Sequence, residues 1–213
     1  MNSRPNWRLF RLALSPVAVL FAALACGPQA FATSVVPPDF DELVNHADYI
    51  VRAVVLSVTP ELKTRADGST AIHSKILLQV EQTIAGHPPT PLVLDMLGGK
   101  MGDREVRISG APNYEVGDRA VFFVQGNGTQ VHPLVRMMHG FYPVERDAVT
   151  GRSFIVRADR SPLLDVRDVS RPLADRAGSI GAAGTRTSDT ALTPEQFEGQ
   201  IRAHVTSAHL REK

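Results

Sequence analysis

Residues 71–86 read AIHSKILLQVEQTIAG. Ile72, Ile76, Leu78, Val80 and Ile84 share one parity with Ser74 and Gln82, whereas His73, Lys75, Gln79, Glu81 and Thr83 share the other. A period of two places these sets on opposite faces of an extended chain. The run is therefore a long, half-buried strand, and the rest of the fold has to be built around it.

The flanking segments supply its partners. YIVRAVVLSV (residues 49–58) is rich in β-branched residues and reads as a buried strand. ADGS (66–69) is turn chemistry. TPLVLDML is a third strand, GGKMGD a glycine-rich turn and REVRIS a short fourth strand. SGAPNYEVGDR (109–119) is a loop shaped by Gly110, Pro112 and Gly117, and it leads into the apolar strand AVFFV. Asn127-Gly128 is a strong hairpin signal, with VHPLVR as the returning strand, bent at Pro133. GFYPVERDAVTGRSFIVRA reads as another hairpin, turning near Thr150 and Gly151. In front of the β-region, Asp39 caps a short helix with Phe40, Leu43 and Val44 on one stripe. Residues 158–191 contain no aromatic residue, many glycines and alanines and scattered charge, the composition of a flexible linker. Beyond it Thr193, Pro194 and Gln196 form a helix start, followed by the stripe Phe197, Ile201, Val205 and Ala208. The expectation is a mainly β protein: a small OB-like β-barrel over 37–157, a short N-terminal helix, a linker at 158–191 and a C-terminal amphipathic helix at 192–213.

Residues 1–32 read as a secretory signal peptide. Arg4, Arg8 and Arg11 precede an uncharged apolar run, and Ala30-Phe31-Ala32 is a small-x-small cleavage site. The run is shorter than the roughly 20 residues of a membrane span. Cleavage after Ala32 gives an exported protein, periplasmic or secreted. A cut before Cys26 instead gives a lipoprotein, although Ala23 stands where a lipobox prefers Leu. Loss of the three arginines leaves 20 basic against 22 acidic residues, a net charge of −2. No basic block remains, which speaks against a nucleic-acid partner, and a membrane is a partner only if Cys26 is lipidated. Cys26 is the sole cysteine, so the mature chain relies on its core rather than on disulfides.

The order of ADYIVRAVVLSV, a polar turn, SKILLQVEQTIAG and GDRAVFFVQGNGTQVHP resembles the netrin-like module, the OB-fold barrel of tissue inhibitors of metalloproteinases. Ala47-Asp48, Ala85-Gly86 and Gly117-Asp118 stand where that family has its short motifs, and the likeness covers residues 40–133. It also suits exported bacterial proteins with a GAP…G(D/E)R element before an apolar strand. The resemblance implies an OB-type frame and binding of proteins or glycans through loops. The inhibitors use an N-terminal cysteine to chelate zinc. A chain that starts at Thr33 has none, so that mechanism does not carry across.

Catalytic motifs are absent from the sequence. The seven histidines, His46, His73, His87, His132, His139, His204 and His209, form neither H-x-x-x-H nor H-E-x-x-H, and read as surface or loop residues rather than zinc ligands. RISGAP is no nucleophile elbow, and GGKMGD lacks the Ser or Thr of a phosphate loop. Asn127-Gly128-Thr129 is formally a sequon, which a hairpin turn explains equally well. The 109–119 loop reads as a structural corner first. As a site it would offer Arg104, Arg107, Tyr114 and Arg136 as an aromatic and cationic rim. The expected function is an exported, non-enzymatic binding module for an envelope or extracellular protein or glycan, without cofactor or metal. Two alternatives stay open. One is an exported hydrolase or metal-dependent enzyme assembled only in space, with His132, His139 and Asp103 as first candidates. The other is a structural part of an envelope assembly, docked through the C-terminal helix.

Overall fold

The computed structural model describes residues 36–64, 68–173 and 187–211. The expected signal segment, with Cys26 and the cleavage site at Ala32, lies outside them. Asp39 caps α1 (Phe40–Asn45), its Oδ1 accepting the Glu42 N–H at 2.7 Å, and the helix turns Leu43 and Val44 inward. Two long strands follow, β1 (Tyr49–Thr64) and β2 (Thr70–Gly86), paired antiparallel from Tyr49↔Gly86 to Thr64↔Thr70. β3 (Leu92–Leu97) pairs with β2, and β6 (Arg119–Val124) with the start of β1. β7 (Phe141–Arg146) and β8 (Ser153–Ile155) complete a six-stranded sheet of order β3-β2-β1-β6-β7-β8. β4 (Gly99–Met101) and β5 (Arg104–Val106) form a separate hairpin, built from the stretch read as a glycine-rich turn and a short strand.

The protein is mainly β, as its alternation requires, but the sheet is not closed into a barrel. Both outer strands find other partners. The Asn127 side chain donates to the Val93 carbonyl at 2.8 Å, and the Leu97 N–H donates to Val131 O at 3.0 Å, which seals β3. Beside β8, Ile155 N–H donates to Leu192 O and Leu163 N–H to Ile155 O. With their backbone groups satisfied by loops, the two edges need no closure.

The sheet carries a hydrophobic core on each face. The first holds Val51, Ala53 and Val55 of β1, Ile76 and Leu78 of β2, Leu94 of β3 and Phe122 of β6. The second holds Ile50, Val121, Phe123 and Tyr142 under α1 and the C-terminal helix. AVFFV is apolar throughout because β6 is covered on both faces. The far end of β2 leaves its expected faces. The pairing skips Glu81 between Ala53↔Val80 and Arg52↔Gln82, and Ile84 between Val51↔Thr83 and Ile50↔Ala85; the first slip reverses the alternation beyond it, so Ile84 joins the second core.

VHPLVR does not return as a strand. It makes one bridge, Val124↔Leu134, because Pro133 has no N–H to donate. The linker expected at 158–191 is ordered in its described part. Leu163 and Val169 are fully buried in the second core, and Asp165 and Asp168 form a reciprocal capping box around a 3-10 turn, Val166–Ser170. Arg157, itself buried, donates to the Arg171 carbonyl and pins that end. On the other side of the undescribed stretch, Arg152 donates to Ser188 O beside α2 (Thr187–Thr190) and to Ala191 O. Apolar residues spaced this sparsely among charges look like a linker in sequence. Arg157, which is buried, Arg152, which is partly buried, and a cap hold them in place.

The C-terminal helix, α3 (Pro194–Arg211), starts as read: Thr193 N–H donates to Gln196 Oε1 at 2.9 Å, and Gln196 N–H to Thr193 Oγ1 at 3.2 Å. Phe197 and Ile201 are fully buried against the sheet. None of the helices among the described residues is long and apolar enough to cross a membrane.

Candidate functional site

The 109–118 loop is a fixed corner. Gly117 has φ +95°, and its N–H donates to Val55 O at 2.9 Å. Asp118 closes the turn, its Oδ2 accepting the Glu115 N–H at 2.8 Å while Val55 N–H donates to Asp118 O at 2.9 Å. This clamp to β1 holds Tyr114 over the first core, its ring stacked on Phe122 at 6.3 Å and edge-on to Phe141 at 5.1 Å.

Between this loop, the β4–β5 hairpin and the sheet lies a cavity of about 400 Å³. Its floor is apolar, from Val58, Ile76 and Met96. The hairpin that walls it swings out of the main sheet at Gly98 and Gly99, with φ of +104° and +137°. A side chain on Gly99 would come within 2.3 Å of Ser74 Oγ, so only glycine lets the hairpin sit this close. The Ser74 hydroxyl is already engaged, donating to Gly98 O at 2.8 Å.

Two residues of the cavity lining carry polar groups with no partner. His132 is 7 % exposed, and neither ring nitrogen makes a hydrogen bond. Burial pushes its pKa down to about 4, so the ring is neutral at neutral pH. The Tyr114 hydroxyl is buried and also unpartnered, and desolvation, with the charge of Asp118 behind it, raises its pKa well above the usual phenol. An unpaired buried polar atom costs about 1–3 kcal/mol, and these atoms lie behind the cavity wall rather than on it.

The four residues read from sequence as a rim are not brought together. Tyr114 and Arg107 line the cavity, Arg107 as an exposed side chain whose Nε donates to Glu105 at 2.6 Å. Arg104 borders a smaller hollow of about 210 Å³ with Leu62 and Val106. Arg136 turns away to pair with Glu42 of α1, its Nε 2.9 Å from the carboxylate. His132 was hidden by its residue type, although Val131, Pro133 and Leu134 around it form an apolar run. His139 is also buried, in the 3-10 turn Met137–Gly140, whereas Asp103 is exposed at the hairpin tip and neither lines the cavity. His73 pairs with Asp95 at 2.9 Å and His204 with Asp41 at 3.3 Å. Among the described residues, no three His, Cys, Asp or Glu side chains are grouped to hold a metal. The sequon asparagine is engaged structurally, its amide donating to Val93 O and lying 3.3 Å from the Tyr49 hydroxyl.

The chain matches no protein-family model and no curated protein.

Proposed function

We propose that the chain is an exported, non-enzymatic binding module whose site is the cavity beneath the 109–118 loop. The observation that carries this reading is the cavity itself, with an apolar floor of Val58, Ile76 and Met96 and the exposed polar side chains Lys100, Glu105, Arg107 and Asn113 in its lining. The netrin-like resemblance supports the same reading, with an open sheet in place of a closed barrel and with a protein or glycan of the envelope as the partner. Export rests on residues 1–32, and the mature protein recovered from outside the cytoplasm should begin at Thr33. A lipid on Cys26 would place the module on a membrane instead.

The binding test uses residues 33–213 and saturation-transfer NMR against envelope extracts. Ala111 lines the cavity, and Ala111→Trp fills it. Signals from bound molecules should vanish with that variant while the fold persists. Signals that survive it would place binding elsewhere and sink the assignment of the site.

A further inference from the structure

We infer that Asn127 is a modification site: its carboxamide condenses with the Gly128 nitrogen to a succinimide, a reaction that the edge of β3 holds back and whose products unseal that edge. This stands apart from the cavity and does not depend on it.

The nucleophile is free. Gly128 is exposed, and a Cβ placed on it would meet nothing within 4 Å. The turn bonds pass it by, since the Thr129 and Gln130 N–H groups both donate to Gly126 O, at 3.0 and 2.8 Å. Among the described residues, the Gly128 N–H has no hydrogen-bond partner.

The electrophile is tethered. Asn127 Nδ2 donates to Val93 O at 2.8 Å and to the Tyr49 hydroxyl at 3.3 Å, and Oδ1 accepts the Asp95 N–H at 3.4 Å. These partners belong to β1 and β3, so both ends of the carboxamide are committed to the sheet rather than to the backbone nitrogen that follows it. The 2.8 Å bond is the strong one, and the two longer bonds fix the orientation.

The reaction needs only water. The Gly128 nitrogen gives its proton to water and bonds to Asn127 Cγ, the Cγ–Nδ2 bond breaks, and ammonia leaves. Water then opens the ring at either carbonyl, giving aspartate or isoaspartate. One water enters, one ammonia departs, and nothing is oxidised.

Neither product can remake the seal. A carboxylate only accepts, so the donation to Val93 O is lost and two acceptors face each other. The Asp48 carboxylate, which already accepts the Gly126 N–H at 2.6 Å, adds a like charge beside the turn. Isoaspartate also inserts a methylene into the turn backbone. The segment that carries Val131 O, the acceptor of the Leu97 N–H, is thereby loosened, and β3 becomes an open edge.

Residues 33–213 and the peptide QGNGTQ (125–130) are incubated side by side at pH 7.5, and isoaspartate and aspartate at position 127 are followed by peptide mapping. The native protein should react at least about tenfold more slowly than the peptide, the factor that two ordinary hydrogen bonds supply. Tyr49→Phe keeps the ring and removes one tether. It should speed the native reaction by about twofold or more, while the Ile76 amide, central in the sheet, exchanges with solvent as before. Asn127→Asp supplies one product directly, and its Leu97 amide should exchange at least about tenfold faster than in wild type.

Equal rates in protein and peptide, or a native rate untouched by Tyr49→Phe, would show that these bonds do not hold the side chain. No product in the folded protein or in Tyr49→Phe, after the peptide has been fully converted, would remove Asn127 as a modification site. An unchanged Leu97 amide in Asn127→Asp would show that the edge does not depend on the carboxamide. Each of these results overturns the inference.

Discussion

Gly117 shows how much one backbone angle can require. No atom lies within 4 Å of a Cβ placed there, so space does not exclude a side chain, but its φ of +95° does. A β-branched residue is least able to adopt that angle. Gly117→Val should lower stability by about 1–2 kcal/mol in denaturant unfolding, whereas Arg104→Ala, at an exposed position, should stay within about 0.5 kcal/mol. A melt unchanged by Gly117→Val would mean the corner tolerates another backbone path. Asp118 is not an idle charge, because its carboxylate accepts the Glu115 N–H, and Asp118→Ala should cost roughly 1 kcal/mol. His132 leaves a signature in pH. Unfolded, its imidazole titrates near 6.5, and folded near 4. Between these values the unfolded chain binds a proton that the folded one refuses. Stability is therefore full above pH 6.5 and falls as pH drops toward 4, by about 3 kcal/mol for a shift of this size. Glu198, whose carboxyl is raised by burial, acts in the opposite sense, but it is common to wild type and variant. The difference between wild type and His132→Phe isolates the histidine, and equal pH slopes in the two proteins would refute its burial as a neutral ring.

At the scale of elements, the sequence was most readable where a local rule decides the outcome. The alternation of 71–86 gave a strand, Asp39 gave a helix start, and Thr193 with Gln196 gave a capping box whose two hydrogen bonds are both present. It was least readable where a distant partner decides. Asn127-Gly128 is a turn, yet the Asn127 side chain reaches to β3, and the segment after it meets β6 only at its end, through the Val124↔Leu134 bridge. Leu163 and Val169 are too widely spaced to announce an element, and only the surface they meet makes them core. The C-terminal helix has its apolar stripe committed to this same surface. Phe197 meets Tyr142 at 5.2 Å and Phe123 at 6.0 Å. Below it, Arg52 of β1 pairs with the nearly buried Glu198 at 2.8 Å, which fixes the register of the helix on the sheet. Phe197→Ala should cost about 3–5 kcal/mol, and Gln200→Ala on the exposed side almost nothing. Equal, small losses for both in thermal melts would mean the helix is not docked in solution.

On the scale of the whole molecule, the open edges and the cavity were the features hidden from sequence. Closure depends on which groups satisfy β3 and β8, and those groups, Asn127 and Leu192, come from loops remote in the chain. The cavity is lined from β1, β2, β3, the hairpin and two loops, so no short motif marks it. The two cores are likewise properties of the assembled sheet. They share their strands: β1 sends Val51 and Ala53 to the first core and Ile50 to the second, and β6 sends Phe122 one way and Val121 and Phe123 the other. Stripping α3 from one face would expose the backs of strands whose fronts hold the first core, so neither core can be lost alone without weakening the other. We therefore expect a single unfolding transition. Residues 33–213 carry no tryptophan, since the only one is Trp7, and the three tyrosines sit conveniently: Tyr49 and Tyr114 at the first core and Tyr142 in the second. With 3-fluorotyrosine in all three positions, the native ¹⁹F signals of Tyr49 and Tyr142 should disappear at one denaturant midpoint. Leu94→Ala, in the first core, and Phe197→Ala, in the second, should each move that midpoint for both tyrosines. A Tyr142 signal lost at lower denaturant than that of Tyr49 would show that the helical face melts first and that the sheet stands without it.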